Sequence, residues 1–175
     1  SVALGYNAGG TITTGNMNIA IGYDAMNGAA ITGDNNIAIG ASAGDAITSG
    51  GGNTLMGLDA GGAMTVANIN VAIGKNALGS EVSGDRSTAV GTSALYSQAM
   101  SGTNTESKNV GVGLNAGYYN VTGKSNTYLG HQAGYGASGQ SNSYNVAVGT
   151  DALKLITTGG YNNALGRLAG TALTT

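Results

Sequence analysis

The sequence contains no cysteine, no proline, no tryptophan and no phenylalanine. Without cysteine there are no disulfide staples and no thiolate metal sites. Without proline, and with no glycine at every third position, the 33 glycines in 175 residues do not make collagen. Charge is also scarce. Asp, Glu, Lys and Arg make up 8% of the chain, against roughly 25% in an average domain. A net charge of −2 offers no electrostatic hold on nucleic acid or an anionic membrane. Simple disorder is excluded as well, because it pairs low hydrophobicity with high charge, and here 41% of residues are hydrophobic. No apolar run approaches the ~18 residues of a membrane helix, and no basic-then-apolar leader opens the chain. No membrane insertion is expected in this segment.

What is present is a repeat. Ten copies align on a glycine that closes a short aliphatic run: Gly5, Gly22, Gly40, Gly57, Gly74, Gly91, Gly113, Gly130, Gly149 and Gly166. The spacings are 17, 18, 17, 17, 17, 22, 17, 19 and 17. Three residues after each marker glycine stands an alanine, in all ten copies. Four residues before it stands Asn in eight copies, with Ser1 and Ser87 in the other two. The repeat disposes of two tempting motifs. In GYYNVTGKSNTYLG (117–130) the Gly-Lys-Ser resembles a phosphate-binding loop, but five residues rather than four separate Gly117 from Gly123. Gly123 also sits ten residues after its marker, as Gly15, Gly50, Gly84 and Gly159 do, so Lys124 occupies a variable turn position. GYGASG (134–139) matches G-x-G-x-x-G only because glycine is abundant.

The run N-Φ-A-Φ-G alternates with period two, which predicts a short strand with one aliphatic face. That face is expected to be the core: Ile19, Ile21, Ile37, Ile39, Val71, Ile73, Val110, Val112, Val146 and Val148. The opposite face carries mostly alanine and is expected to lie outside, as a flat stripe that another chain could approach. G-x-x-A predicts a turn, with Gly22 and Ala25, Gly40 and Ala43, Gly74 and Ala77, and Gly149 and Ala152 as its structural residues. A second β-branched run, such as TITTG (11–15), AITSG (46–50) and LITTG (155–159), predicts a second strand per repeat. Such a unit cannot bury its apolar face alone, and stacking at ~4.8 Å per coil buries a continuous core. The fold class is therefore all-β: a parallel β-solenoid of about ten coils of ~17 residues in one repeat domain, 1–175. The longer spacings place insertions within 97–108 and 134–144, and insertions in solenoids often lie on a binding face.

N-x-A-I-G-x-x-A, iterated with Gly/Asn turns, resembles the YadA-like head repeats of trimeric autotransporter adhesins. It is similar also to the TTGxxNxAIGxxAL repeats of phage tail fibres. LITTGGYNNALGRLA (155–169) and INVAIGKNAL (69–78) carry the likeness best, and it covers the whole chain. The resemblance implies a left-handed β-roll, a homotrimer about a common axis, and an extracellular place on a virion tail fibre or a bacterial surface. It implies a non-enzymatic fibre segment that spaces or presents a receptor-binding surface, cut from a longer fibre protein. The adhesin head repeats are nearer 14 residues per coil, so coil shape and interface are expected to differ.

Little else suggests chemistry. His131 is the only histidine and falls in a turn. Asp24, Asp59 and Asp151 share one repeat position, as an acidic ladder for calcium would need, but other copies put Asn, Ser, Gln or Leu there. No cofactor, metal or catalytic set is expected. A glycosidase or lyase would need paired carboxylates, and Glu81 and Glu106 are the only glutamates. A monomeric ice-binding solenoid would need a regular threonine ladder. Thr13-Thr14, Thr48 and Thr157-Thr158 suggest one, and Val82-Ser83, Ala99-Met100 and Ala137-Ser138 break it. The tyrosines are better candidates. Tyr118, Tyr119, Tyr128, Tyr135 and Tyr144 cluster in sequence, and successive coils would bring several of them together; Tyr118, Tyr119, Tyr135 and Tyr144 are the candidates to offer apolar rings with polar tips to a cell-surface glycan or protein receptor.

Overall fold

The computed structural model describes residues 1–102, 105–139 and 141–175, and these contain no helix. The strands are β1 (Val2–Leu4), β2 (Ile19–Ile21), β3 (Ile37–Ile39), β4 (Thr54–Met56), β5 (Val71–Ile73), β6 (Gly84–Asp85), β7 (Thr88–Val90), β8 (Thr105–Glu106), β9 (Val110–Val112), β10 (Thr127–Leu129), β11 (Val146–Val148) and β12 (Asn163–Leu165). Ten of them, one per repeat, form a single parallel sheet in chain order. β6 and β8 pair separately beside it. Register is set by the repeat itself: Ile19, Ala20 and Ile21 lie against Ile37, Ala38 and Ile39. The chain is a parallel β-solenoid of about nine turns.

The second run of each repeat mostly falls short of a strand. TITTG makes one isolated bridge, Ile12 to Ile31. Elsewhere the Thr48 and Gly50 amides both reach the Thr65 carbonyl, at 3.0 and 3.1 Å. Two amides converging on one oxygen break the one-to-one ladder a strand requires.

The marker glycines are forced by geometry. All ten have φ between +119° and +136°. A Cβ on Gly5 or Gly22 would lie 2.5 or 2.6 Å from the carbonyl oxygen of the next marker glycine. The second and fourth residues after the marker are left-handed too, which favours Asn and Asp at the first of them: Asn7, Asp24, Asp59, Asn76, Asn115 and Asp151.

The two strand faces are the reverse of the sequence expectation. Ala20, Ala38, Ala72, Ala89 and Ala147 are fully buried. Ile19, Ile21, Ile37, Ile39, Val71, Val110 and Val148 are only half-buried, and Ile73, Val112 and Val146 are exposed. Volume decides the orientation. The buried middle position of the strand faces the residue four after the marker glycine. Beside Ala20, Ala72, Ala89 and Ala147, Met26, Leu78, Leu95 and Leu153 fill that space from the turn, whereas at Gly44 and Gly117 Leu55, Leu95 and Tyr128 of adjoining coils reach into it. Where the strand carries Leu55 or Tyr128, the turn carries glycine. A Cβ would come within 2.7 Å of Leu55 at Gly44, 2.9 Å at Gly61, and 2.6 and 2.3 Å of Tyr128 at Gly117 and Gly134. Large and small side chains thus compensate across a thin interior, either within one coil or between adjoining coils.

Asparagine lines the strand entrance as a buried ladder. Asn18, Asn36, Asn53, Asn70, Asn109, Asn126 and Asn145 are fully buried. Each side-chain oxygen accepts the amide of its counterpart one coil on; Asn53 accepts from Asn70 at 3.0 Å. Each side-chain NH2 donates to a carbonyl across the coil, Asn53 to Ala67 at 2.8 Å. Ser87 interrupts the ladder. Gln98 bridges the gap, accepting from Asn109 at 2.8 Å and donating to Glu81 at 2.6 Å. The buried Glu81 Oε1 also accepts the amides of Val82, Ser83, Gly84 and Met100.

Candidate functional site

Three surfaces stand out. The first is the outer face of the sheet. The third strand residue of every repeat is aliphatic or Met, from Leu4 to Leu165, and in mid-rod Met56, Ile73, Val112 and Leu129 are still 36–38% exposed. The first strand residues add Ile19, Ile37, Val71, Val110 and Val146, with Thr54, Thr88 and Thr127 between them. Nine coil steps at ~4.8 Å make this face roughly 43 Å long. Continuous apolar strips of that size are unusual on a lone chain.

The second surface is a tyrosine column. Tyr118 stacks on Tyr135 with ring centroids 5.4 Å apart, and Tyr119 meets both edge-on at 4.6 and 5.1 Å. These three expected residues do come together. Tyr96, which sequence reading passed over, extends the column by stacking on Tyr118 at 5.1 Å. Its signal was available: Tyr96, Tyr118 and Tyr135 all stand five residues after a marker glycine. Burial, and then neighbouring phenols, push the Tyr118 hydroxyl above its ordinary pKa. Tyr144 is not part of this group. It stacks on Tyr161 at 4.9 Å and borders a cleft of about 520 Å3 with Thr105, Glu106, Lys108, Lys124 and Ser125. Glu106 there pairs with Arg86 and with Lys108. Of the first expected insertion, residues 103–104 lie outside the described residues, and of the second, residue 140 does.

The third surface is a polar slot at the end of the tyrosine column, bounded by Asp45, Asp59, Asn76 and Tyr96.

Other residues are placed as follows. His131 is exposed. Asp24, Asp59 and Asp151 do not act as a set: Asp24 accepts from Asn27, and Asp151 pairs with Lys154. No cluster of three or more His, Cys, Asp or Glu is arranged for a metal among the described residues. Three threonines of the second run donate their hydroxyls along the rod, while Thr14 and Thr158 are exposed. Thr13 donates to Ile31, Thr48 to Thr65 and Thr157 to Thr174. Asn120 of the sequon Asn120-Val121-Thr122 is buried and accepts the amides of Gly123 and Asn142. No helix of the described residues is long and apolar enough to cross a membrane. No protein-family model matches the chain, and neither a curated protein nor a solved structure is significantly similar to it.

Proposed function

We propose that the chain is a non-enzymatic structural segment of an extracellular fibre, a rigid β-roll whose copies associate as a homotrimer about a common axis. The observation that carries this reading is the outward aliphatic ladder. It runs the full length of the sheet, is interrupted only by small polar residues, and keeps one register from strand to strand. A second and third copy present the same ladder, so the match is repeated at each coil. Three-fold symmetry, left-handed coiling and the placement on a phage tail fibre come from the repeat resemblance, as does the alternative of a bacterial adhesin head. The fibre would space or present a receptor-binding surface, and the tyrosine column and adjoining clefts are the surfaces for a receptor glycan or protein. The alternative of an ice-binding monomer draws no support from the threonines, because Thr13, Thr48 and Thr157 spend their hydroxyls on backbone carbonyls.

Light scattering after size exclusion tests the assembly. Three chains of 17.0 kDa are expected to travel together. Ile39→Lys and Ile73→Lys, made together, are expected to release folded monomers, because each puts a cation on the buried seam of every copy. A monomeric or dimeric wild-type chain would overturn the trimeric reading.

A further inference from the structure

The tyrosine column stops abruptly. At the position five after the marker, successive repeats carry Asp45, Gly62, Gly79, Tyr96, Tyr118 and Tyr135. The last three are a stack of rings, and the two glycines are missing rungs. Their absence leaves a slot of about 390 Å3 closed at one end by the Tyr96 ring and at the other by the Asp45 carboxylate, with Asp59 and Asn76 along one side. Both ends lean inward. A Cβ on Gly79 would lie 2.9 Å from the Tyr96 ring, and one on Gly62 3.6 Å from Oδ1 of Asp45.

Other repeats show what this position supplies when it is filled. In the second repeat Asn27, five after the marker, donates to Asp24, two after it, at 3.4 Å. In the ninth, Lys154 holds Asp151 at 2.9 Å in the same two positions. In the fourth repeat the carboxylate is present as Asp59, but its donor has been replaced by Gly62. The ion pairs among the described residues join Arg86 and Lys108 to Glu106 and Lys154 to Asp151, leaving Asp45 and Asp59 without a cation. Burial, and then the neighbouring Asp59, push the Asp45 carboxyl above its usual range. The slot therefore has a flat aromatic wall, two uncompensated carboxylates and an internal precedent for a cation.

We propose that the slot binds a guanidinium group, that of an arginine side chain presented by a protein partner, lying against Tyr96 and donating to Asp59 and Asp45. A guanidinium is planar, stacks on aromatic faces and carries five donors in a fixed fork, so one group uses every wall of the slot. An ammonium can also lie over the ring, but as a compact point charge it lacks the flat face and the fixed fork that serve ring and carboxylates together. A neutral sugar would use the ring without neutralising the carboxylates. The inference stands apart from the fibre reading, because the slot is complete within one chain.

The test is a titration of the wild-type protein, followed by backbone amide NMR, with three probes: N-acetyl-arginine amide, its neutral isostere N-acetyl-citrulline amide, and a methyl glucopyranoside. Arginine is expected to give saturable shifts at Gly62, Ala63, Asn76 and Gly79, and citrulline to bind at least about tenfold more weakly. Asp59→Asn and Tyr96→Leu are each expected to weaken arginine by about tenfold. No saturable shift with arginine, equal binding of citrulline, or tighter binding of the glucoside would each overturn the proposal. The three probes act on unaltered protein, so a variant that fails to fold does not leave the question open.

Discussion

Replacing Asn53 with alanine tests the asparagine ladder where it is most regular. The Asn53 side chain is fully buried and makes four hydrogen bonds. Its oxygen accepts from the Asn70 amide at 3.0 Å and the Asn70 side chain at 3.2 Å. Its NH2 donates to Ala67 O at 2.8 Å and to Asn36 Oδ1 at 3.0 Å. Alanine leaves the Asn70 amide and the Ala67 carbonyl buried without these partners. At about 1–3 kcal/mol for each stranded group, the loss is about 4 kcal/mol, a large share of a domain's stability. Asn16→Ala is the control, since Asn16 is exposed and its side chain donates only to Thr14 O. Urea unfolding at one fixed protein concentration gives the comparison, because any association adds to apparent stability. Hydrogen exchange at the Asn70 amide gives it locally, which matters in a repeat array where unfolding need not be two-state. Asn53→Asp adds a sign. It keeps the acceptor, loses the donor and buries a carboxylate, so its folded pKa is raised above the unfolded value. A raised acid pKa means stability improves as pH falls and worsens as pH rises. A cost below about 1 kcal/mol for Asn53→Ala, or equal to that of Asn16→Ala, would refute the ladder as a source of stability.

Two further outcomes follow from the interior. Gly134→Ala is expected to cost about 3 kcal/mol, because a Cβ would meet the Tyr128 ring at 2.3 Å on a backbone with φ of +59°. Gly134→Leu combined with Tyr128→Ala copies the pairs Ala72 with Leu78, Ala89 with Leu95 and Ala147 with Leu153, and a double-mutant cycle in urea should show the pair far less costly than the single changes summed. Burial pushes the Tyr128 hydroxyl, which donates to Asn142 Oδ1, well above its ordinary pKa of 10.0. A phenol with a raised folded pKa contributes stability that is present below the unfolded pKa and lost as pH rises above it. Near-ultraviolet absorbance in an alkaline titration should therefore show one tyrosine ionising only as the chain unfolds, and Tyr128→Phe should remove that step.

The period of this chain was legible in its sequence because each rung is a local pattern. A glycine forced to positive φ and an alanine three residues on recur in ten copies, with an aliphatic pair around a small residue before the glycine in six of them, and stacking them needs no knowledge of the rest. The orientation was not legible from that pattern, since alternation separates two faces without saying which one is enclosed. Hydrophobicity favours Ile and Val inside, but volume overrules it in so thin a coil. The evidence lay in a comparison of columns: wherever the middle strand residue grows to Leu55 or Tyr128, the turn residue opposite shrinks to glycine. Only facing positions compensate in this way. Tyr96 was passed over because tyrosines were grouped by closeness in sequence rather than by their distance from the marker glycine. Once the faces are reversed, the proposed interface changes with them. The alanine stripe is enclosed and unavailable, and the surface left for other copies of the chain is a ladder of isoleucine, valine, leucine and methionine. It buries far more apolar area per coil than alanine could, so association is expected to be strong rather than marginal.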